Sequence, residues 1–141
     1  MTARFKINTK VTARFSDLDA MGHVNNARFF SYMEEGRVAY FNKLFPDKSL
    51  LNQFDIFPFI LADIQCTFKS PIMCSETIIV SLGVIKIGTK SLTMEYDLTE
   101  EKSGRQVATG SSVLVMYDYK TKTTCSVSTA IKNRIHHLEN D

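Results

Sequence analysis

The chain has 141 residues, of which 44% are hydrophobic, 11% aromatic and 23% charged. This length fits one ordinary domain, expected over residues 1–141, and this composition excludes a disordered or fibrous protein. Seventeen Lys and Arg against fifteen Asp and Glu give a net charge of +2 without a local basic stripe, which excludes a typical nucleic-acid-binding protein.

The apolar pattern also argues against a membrane protein. The longest apolar cluster, 77–87, is interrupted by polar residues and is far shorter than the roughly 20 apolar residues that span a bilayer. The first ten residues, MTARFKINTK, lack the apolar core of a secretion signal, so we expect a cytoplasmic protein. Cys66, Cys74 and Cys125 show no C-x-x-C spacing, so we expect them in the core, without a disulfide framework or a bound metal.

The first predicted elements are a strand and a loop. From Phe5 to Phe15 apolar residues occupy nearly every odd position and polar residues nearly every even one, which predicts a half-buried strand. Residues 16–26 have no hydrophobic period and are rich in turn formers and capping residues. They predict a loop that ends in a helix N-cap.

A single long helix follows the loop. Apolar residues recur at helical spacing over 27–45, with Val38 widening the apolar stripe, and Pro46 and Asp47 end the pattern. So broad a stripe predicts a largely buried helix. Gly36 lowers helix propensity, and a close approach to a sheet would explain it.

The remaining pattern is mostly that of strands. Alternation or β-branched composition predicts strands over 60–69, 77–87, 92–98 and 106–117, and helical spacing predicts a short terminal helix over 131–138. This order predicts an α+β fold in which an antiparallel sheet wraps around the one long helix.

The loop before the helix carries more polar chemistry than folding requires. It places Asp17, Asp19 and His23 beside a helix start, where unpaired N–H groups and the macrodipole would stabilise an oxyanion. The same residues also suit a purely structural loop, in which the aspartates form turns, Asn25 or Asn26 caps the helix, and His23 is packed or solvated.

The segment DLDAMGHVNNARFFSYMEEGR resembles the signature of the hotdog-fold acyl-CoA thioesterases, the 4-hydroxybenzoyl-CoA thioesterase and YbgC-like group, with the pattern D-x-D-x-x-G-H-V-N-N-x-x-[FY]. Residues 87–96 are similar to that family's turn between central strands. The resemblance implies a hotdog fold, hydrolysis of an acyl-CoA to free acid and coenzyme A, no separate cofactor, and a homodimer or homotetramer.

The resemblance also implies a site. Asp19 matches the catalytic carboxylate, which acts as nucleophile or as general base, and Gly22 matches the glycine that lets the loop approach the thioester. The N–H of Asn26, with or without that of Asn25, would polarise the thioester carbonyl. The other implied residues are His23 as a further catalytic residue, Val24 for substrate binding, and Lys90 and Ser91, which a partner chain would supply.

Three other functions fit parts of the pattern. The DLD and HVNN pieces are also similar to plant acyl-ACP thioesterases, although Met21 stands where those enzymes have a catalytic Asn. A hotdog dehydratase would use histidine to move a proton on a 3-hydroxyacyl group. A non-catalytic acyl-CoA binding or sensing module is the alternative outside enzymes.

Several side chains carry weaker signals. Glu35 forms either an ion pair on the helix or a second carboxylate in the site, and we expect His136 and His137 to be solvated rather than metal ligands. Four basic residues suit either coenzyme A phosphates or protection of strand edges: Lys69, Lys86, Lys90 and Arg105. Three phenylalanines before a strand are assigned to the core: Phe54, Phe57 and Phe59.

Overall fold

The computed structural model describes residues 4–46 and 57–140. The elements in chain order are β1 (Ile7–Thr12), a 3-10 turn (Phe15–Asp17), α1 (Asn26–Leu44), β2 (Phe59–Phe68), β3 (Thr77–Ile87), β4 (Ser91–Glu100), β5 (Gln106–Asp118), β6 (Thr123–Thr124) and α2 (Thr129–Asn140). The predicted long helix, four long strands and terminal helix are all confirmed.

The sheet is antiparallel, with strand order β1-β3-β4-β5-β2, and the short β6 pairs with the end of β5. β3, β4 and β5 form a meander of consecutive neighbours, whereas β2 crosses over to pair with β5. The two edges of the sheet are therefore β1 and β2. α1 packs against one face of this sheet, which is the α+β architecture predicted from the order of the elements.

One face of α1 is buried against the sheet. The buried residues recur every three or four positions: Phe29, Tyr32, Met33, Gly36, Arg37, Tyr40, Phe41 and Leu44. A Cβ built on Gly36 would lie 2.8 Å from Val80 Cγ1, so the predicted close approach to the sheet is confirmed. Val38 is 42% exposed, so its inclusion in the buried stripe was wrong, because it lies on the far side of the helix from the sheet.

The sheet supplies the other half of the core. In β4 every second side chain is fully buried beneath α1, namely Leu92, Met94, Tyr96 and Leu98. Burying one such apolar side chain stabilises a fold by about 1.5–3 kcal/mol, so this alternation contributes strongly to holding α1 in place.

α2 is held at the far end of α1 by a partly buried contact. Glu139 Oε2 accepts hydrogen bonds from the Tyr40 hydroxyl at 2.5 Å and from the Val84 N–H at 3.0 Å. Ile131 and Ile135 bury the apolar side of α2. Within residues 4–46 and 57–140, no helix is long and apolar enough to cross a membrane.

Two sequence-based expectations differ from the structure. Phe15 is 83% exposed, because β1 ends at Thr12 and the following turn breaks the alternation that placed Phe15 inside. The three cysteines are free, but Cys74 is exposed rather than packed in the core. Asp47 and Phe54 lie outside the described residues.

Candidate active site

The polar loop folds into a tight hairpin whose turn begins at Asp19. Leu18 and Val24 form an isolated antiparallel bridge, and inside it the Asp19 N–H donates to the His23 carbonyl at 2.9 Å. The Gly22 N–H then donates to the Asp19 carbonyl at 3.1 Å. Gly22 has φ +88°, a left-handed conformation that a side chain would strain, so the glycine is required for this turn.

The Asp19 side chain is exposed. Its Oδ1 accepts a hydrogen bond from the Met21 N–H at 2.9 Å, which fixes the carboxylate on the turn. In the part of the chain that the structure describes, the carboxylate makes no other hydrogen bond or ion pair. The second oxygen is therefore open to a water molecule or a ligand.

The start of α1 presents one unused amide. Asn25 is the N-cap, because its Oδ1 accepts from the Ala27 N–H at 2.9 Å and its carbonyl accepts from the Arg28 N–H at 2.8 Å. The Asn25 N–H itself donates to the Asp17 carbonyl at 2.9 Å. Asn26 is the first helical residue and its N–H has no acceptor within the helix. Of the two amides implied for polarising a carbonyl, the Asn25 amide is thus engaged and the Asn26 amide is available.

A cleft of about 290 Å³ lies beside this helix start. Its lining comes from the loop, the first turn of α1 and the end of β2: His23, Val24, Asn26, Phe29, Phe68, Lys69, Ser70 and Pro71. The rings of Phe29 and Phe68 meet edge to face at 4.9 Å and form an apolar wall. The cleft therefore combines an apolar wall with a polar rim next to the loop that carries Asp19.

Asp17, two residues before Asp19, has a different environment. It is 3% exposed, and its Oδ2 accepts from the Tyr32 hydroxyl at 2.7 Å and from the Arg14 N–H at 3.0 Å. Burial alone would raise the pKa of this carboxyl, but the two hydrogen bonds and the Arg14 and Arg28 guanidinium groups together hold it below its usual value.

The sequence left Asp17 as either a carboxylate beside the helix start or a turn residue, and it did not single out Tyr32. The i to i+3 spacing of Arg14 and Asp17 at the start of the turn was the available signal, since a carboxylate there caps the residue three positions earlier. No sequence signal joins Asp17 to Tyr32, which lies 15 residues later.

Lys90 and Ser91 lie at the opposite end of the sheet from the cleft. Ser91 pairs with Val115, whereas Phe68 of the cleft pairs with Ala108 of the same strand, roughly 23 Å away at 3.3 Å per residue. One protomer therefore does not bring Lys90 and Ser91 to Asp19.

The weaker candidates are scattered over the surface. Glu35 lines a separate groove with Asp17, Arg28 and Tyr32. Arg105 is bound to Glu76 and to the Pro71 carbonyl, so Lys69 is the basic candidate that lines the cleft. The described residues contain no cluster of three or more His, Cys, Asp and Glu side chains that could hold a metal ion.

Comparison with a protein-family model matches residues 13–135 to the thioesterase-like superfamily. The chain is 33% identical to the protein YsmA of Bacillus subtilis (strain 168) over 111 residues, which cover 79% of this chain and 72% of YsmA. It is 22% identical to the long-chain acyl-CoA thioesterase FadM of Escherichia coli (strain K12) over 132 residues, which cover 94% of this chain and 98% of FadM.

A solved structure agrees with these matches. A thioesterase of Thermus thermophilus, determined as a complex with coenzyme A and Zn, superposes with a TM-score of 0.84 at 34% sequence identity. The superposition covers 97% of this chain and 96% of the Thermus chain. The similarity in fold therefore extends over nearly the whole chain.

Proposed function

The chain belongs to the thioesterase-like superfamily, and on that premise we propose that it hydrolyses an acyl-CoA thioester to a free acid and coenzyme A. The observation that carries this proposal is the exposed Asp19 carboxylate on the glycine turn that immediately precedes a helix start whose Asn26 N–H is unused. A carboxylate and an oxyanion donor are the two groups that thioester hydrolysis needs most.

The proposed reaction uses the two groups as follows. The Asn26 N–H and the positive end of the α1 dipole polarise the thioester carbonyl, and they stabilise the oxyanion that forms when the carbonyl carbon is attacked. Asp19 acts either as a general base, taking a proton from the attacking water, or as a nucleophile, forming an anhydride that water then hydrolyses. The C–S bond breaks in both routes, and the sulfur leaves as a thiolate.

The leaving group explains why no strong acid is required. A thiol has a parent pKa of about 8.5, so its thiolate departs readily and takes up a proton afterwards. His23 lines the cleft and is the remaining proposed catalytic residue, in contact with substrate at the polar rim. Gly22, Val24 and Asn25 shape the loop through the turn, the bridge and the cap described above.

Coenzyme A is the proposed carrier of the acyl group, as part of the substrate rather than as a cofactor. FadM is named as an acyl-CoA thioesterase, and the Thermus thioesterase, at 34% identity, was solved with coenzyme A. The apolar wall of Phe29 and Phe68 suits an acyl chain, and the rim with Lys69 and Ser70 suits the polar arm of the carrier. The cytoplasmic location remains a prediction from the sequence.

We also propose a homodimer formed along β2, with a homotetramer of such dimers as the larger alternative. β2 is an edge strand with exposed apolar side chains, including Ile60 and Phe68 at 36% and 41% exposure. Antiparallel pairing of two β2 strands would place the start of the partner's β2 beside Phe68. That start pairs with the part of β5 that also pairs with β4 near Ser91, so the partner's Lys90–Ser91 turn would approach the cleft.

The test is release of free thiol from short, medium, long and aromatic acyl-CoAs by the wild type and by Asp19→Asn. We expect the wild type to hydrolyse part of the panel and Asp19→Asn to lose activity by about 100-fold or more, since the carboxylate can then neither attack nor accept a proton. Asp97→Asn is the matched control, because it neutralises a carboxylate on a central strand, and it should keep full activity.

The outcomes separate the remaining functions. Full activity of Asp19→Asn would overturn the role of Asp19. Tight acyl-CoA binding without thiol release would favour the sensing module. Hydrolysis confined to acyl-carrier-protein thioesters would favour the acyl-ACP thioesterase, and formation of a double bond in a 3-hydroxyacyl-CoA would favour the dehydratase.

A further inference from the structure

The buried carboxylate of Asp17 joins the polar loop to α1. Its Oδ2 accepts a hydrogen bond from the Tyr32 hydroxyl at 2.7 Å and another from the Arg14 N–H at 3.0 Å. Guanidinium nitrogens of Arg14 and Arg28 lie 3.6 and 3.7 Å from the other oxygen, Oδ1. A single side chain thus connects the residue before the turn, the turn itself and two residues of the helix.

The backbone of Asp17 extends this connection to the groups proposed for catalysis. Its carbonyl accepts from the Asn25 N–H at 2.9 Å, so Asp17 holds the N-cap of α1. The next residue, Leu18, pairs with Val24 at the base of the hairpin whose turn begins at Asp19. Displacement of Asp17 would therefore move both the Asp19 carboxylate and the Asn26 amide.

Tyr32 is suited to hold this carboxylate. It is 4% exposed, and burial together with the hydrogen bond to Asp17 raises the pKa of its phenol, so the hydroxyl stays a donor over the working pH range. A hydrogen bond from a hydroxyl to a buried carboxylate is short and strong, and it defines one geometry. Misplacement of a catalytic group by about 1 Å is enough to slow a reaction markedly.

We propose that Asp17 and Tyr32 form a positioning pair, which holds the Asp19 carboxylate at the distance from the Asn26 amide that the attack on the thioester requires. This inference rests on the proposed hydrolysis. Neither residue lines the cleft with His23, and neither is assigned a contact with substrate. The pair acts through the loop and the N-cap, so it sets kcat rather than KM.

The first variant is Tyr32→Phe, which removes the hydroxyl and keeps the ring. We expect kcat to fall by about tenfold and KM to stay within about twofold of the wild type, because the cleft is intact and only the geometry of attack is loosened. Tyr40→Phe is the matched control, since Tyr40 lies on the same helix and its hydroxyl also donates to a carboxylate, that of Glu139. Tyr40→Phe should keep the wild-type kcat.

The second variant is Asp17→Asn, which retains a side-chain acceptor but removes the charge. The charged and titratable groups around Asp17 are Lys10 on β1, Arg14 before the turn, and Arg28, Tyr32 and Glu35 on α1. Removing the charge leaves the Arg14 and Arg28 guanidinium groups without their shared partner, so the loop and the N-cap should loosen as they do in Tyr32→Phe. We expect kcat to fall by about tenfold while KM stays within about twofold of the wild type, a split that a general loss of stability would not produce.

Amide hydrogen exchange over residues 18–26 tests the pair without any substrate. We expect exchange there to be about tenfold faster in Tyr32→Phe and unchanged in Tyr40→Phe, because only the first variant releases the loop. Unchanged exchange in Tyr32→Phe, or an equal loss of kcat in both tyrosine variants, would overturn the positioning pair. Failure of the proposed hydrolysis is recognised separately, as the absence of thiol release by the wild type or as full activity of Asp19→Asn.

Discussion

The two edges of the sheet solve the same physical problem in different ways. An edge strand exposes unpaired N–H and C=O groups that invite another strand to pair. At one edge, β1 has six residues, and its outward side chains Asn8, Lys10 and Thr12 are polar. Lys10 is also held in an ion pair with Glu101, its Nζ 2.5 Å from Oε2. Short length and charge make this edge a poor template for pairing.

The opposite edge is less protected, because it is longer and its one charged side chain, Asp63, stands among apolar ones. β2 has ten residues, and Ile60, Leu61 and Phe68 are 36%, 43% and 41% exposed. Phe68 lies at the end of β2 that also lines the cleft beside Asn26. The comparison shows that the less protected edge borders the cleft of the proposed active site, whereas no residue of β1 lines that cleft. We infer that a second copy of the chain covers the exposed edge of β2.

The largest expected effect comes from placing charge on the open edge. The double variant Ile60→Lys and Leu61→Lys puts two lysines on neighbouring positions that are partly exposed within one protomer, so folding should be retained. In the antiparallel pairing each lysine pair would be desolvated against the opposite end of the partner's β2, so the dimer should dissociate. Light scattering should give twice the 16.0 kDa protomer mass for the wild type and a single protomer mass for the variant. The rate of thiol release from acyl-CoA should also fall in the variant that no longer forms the dimer.

Asn8→Lys is the control for this prediction, because it adds a positive charge to the exposed side of β1. Its mass and activity should match those of the wild type. A dimer that survives the two lysines on β2 but dissociates with Asn8→Lys would reverse the assignment of the two edges.

A smaller effect is expected from filling the space beside β2. A Cβ built on Gly110, which pairs with Cys66 of β2, would lie 2.5 Å from Met33 Cε and 2.8 Å from the backbone oxygen of Gln65. A backbone atom cannot yield without shifting the strand, so Gly110→Ala should lower the free energy of unfolding by about 1–3 kcal/mol in urea titrations. A urea midpoint equal to that of the wild type would contradict this, because it would show that β2 can shift at little cost in stability.

The equivalent change near β1 should cost less. A Cβ on Gly83 would meet the ends of two side chains, Glu139 Oε1 and Phe5 Cδ1, each at 2.9 Å. Side-chain ends can move, and replacing a strand glycine also reduces the entropy of the unfolded chain. Gly83→Ala should therefore change the free energy of unfolding by less than about 1 kcal/mol. A larger loss than for Gly110→Ala would contradict this ranking in the same urea experiment.

The smallest effect is expected from the ion pair on β1. The side chains of Lys10 and Glu101 are 62% and 36% exposed, so water screens their attraction. Lys10→Gln should lower the free energy of unfolding by no more than about 0.5 kcal/mol. Thermal unfolding of the variant and the wild type measures this difference, and a greater loss would contradict the prediction. The role of Lys10 is to keep the edge from pairing, so repeated heating should reveal more aggregation in Lys10→Val than in Lys10→Gln.

Sequence patterns predicted most helices and strands because the formation of these elements depends on residues that are close together in the chain. Helical spacing located α1 close to Asn26–Leu44, and Gly36 correctly predicted a close approach to the sheet. The same reasoning failed for Phe15 and Val38, since an alternating or periodic pattern does not state where an element ends or which side of it faces the sheet. The loop around Asp19 was found through its motif and its place before a helix.

The tertiary structure decided what depends on contacts between distant residues. The sequence by itself determined the α+β class, the elements and the polar loop, because hydrophobic period and turn chemistry act over a few neighbouring residues. It did not predict that Asp17 is buried while Asp19 is exposed, since only the approach of Tyr32 buries one of the two carboxylates. The position of β2 at an edge of the sheet likewise arises from the crossover that pairs β2 with β5, a contact between segments far apart in the chain.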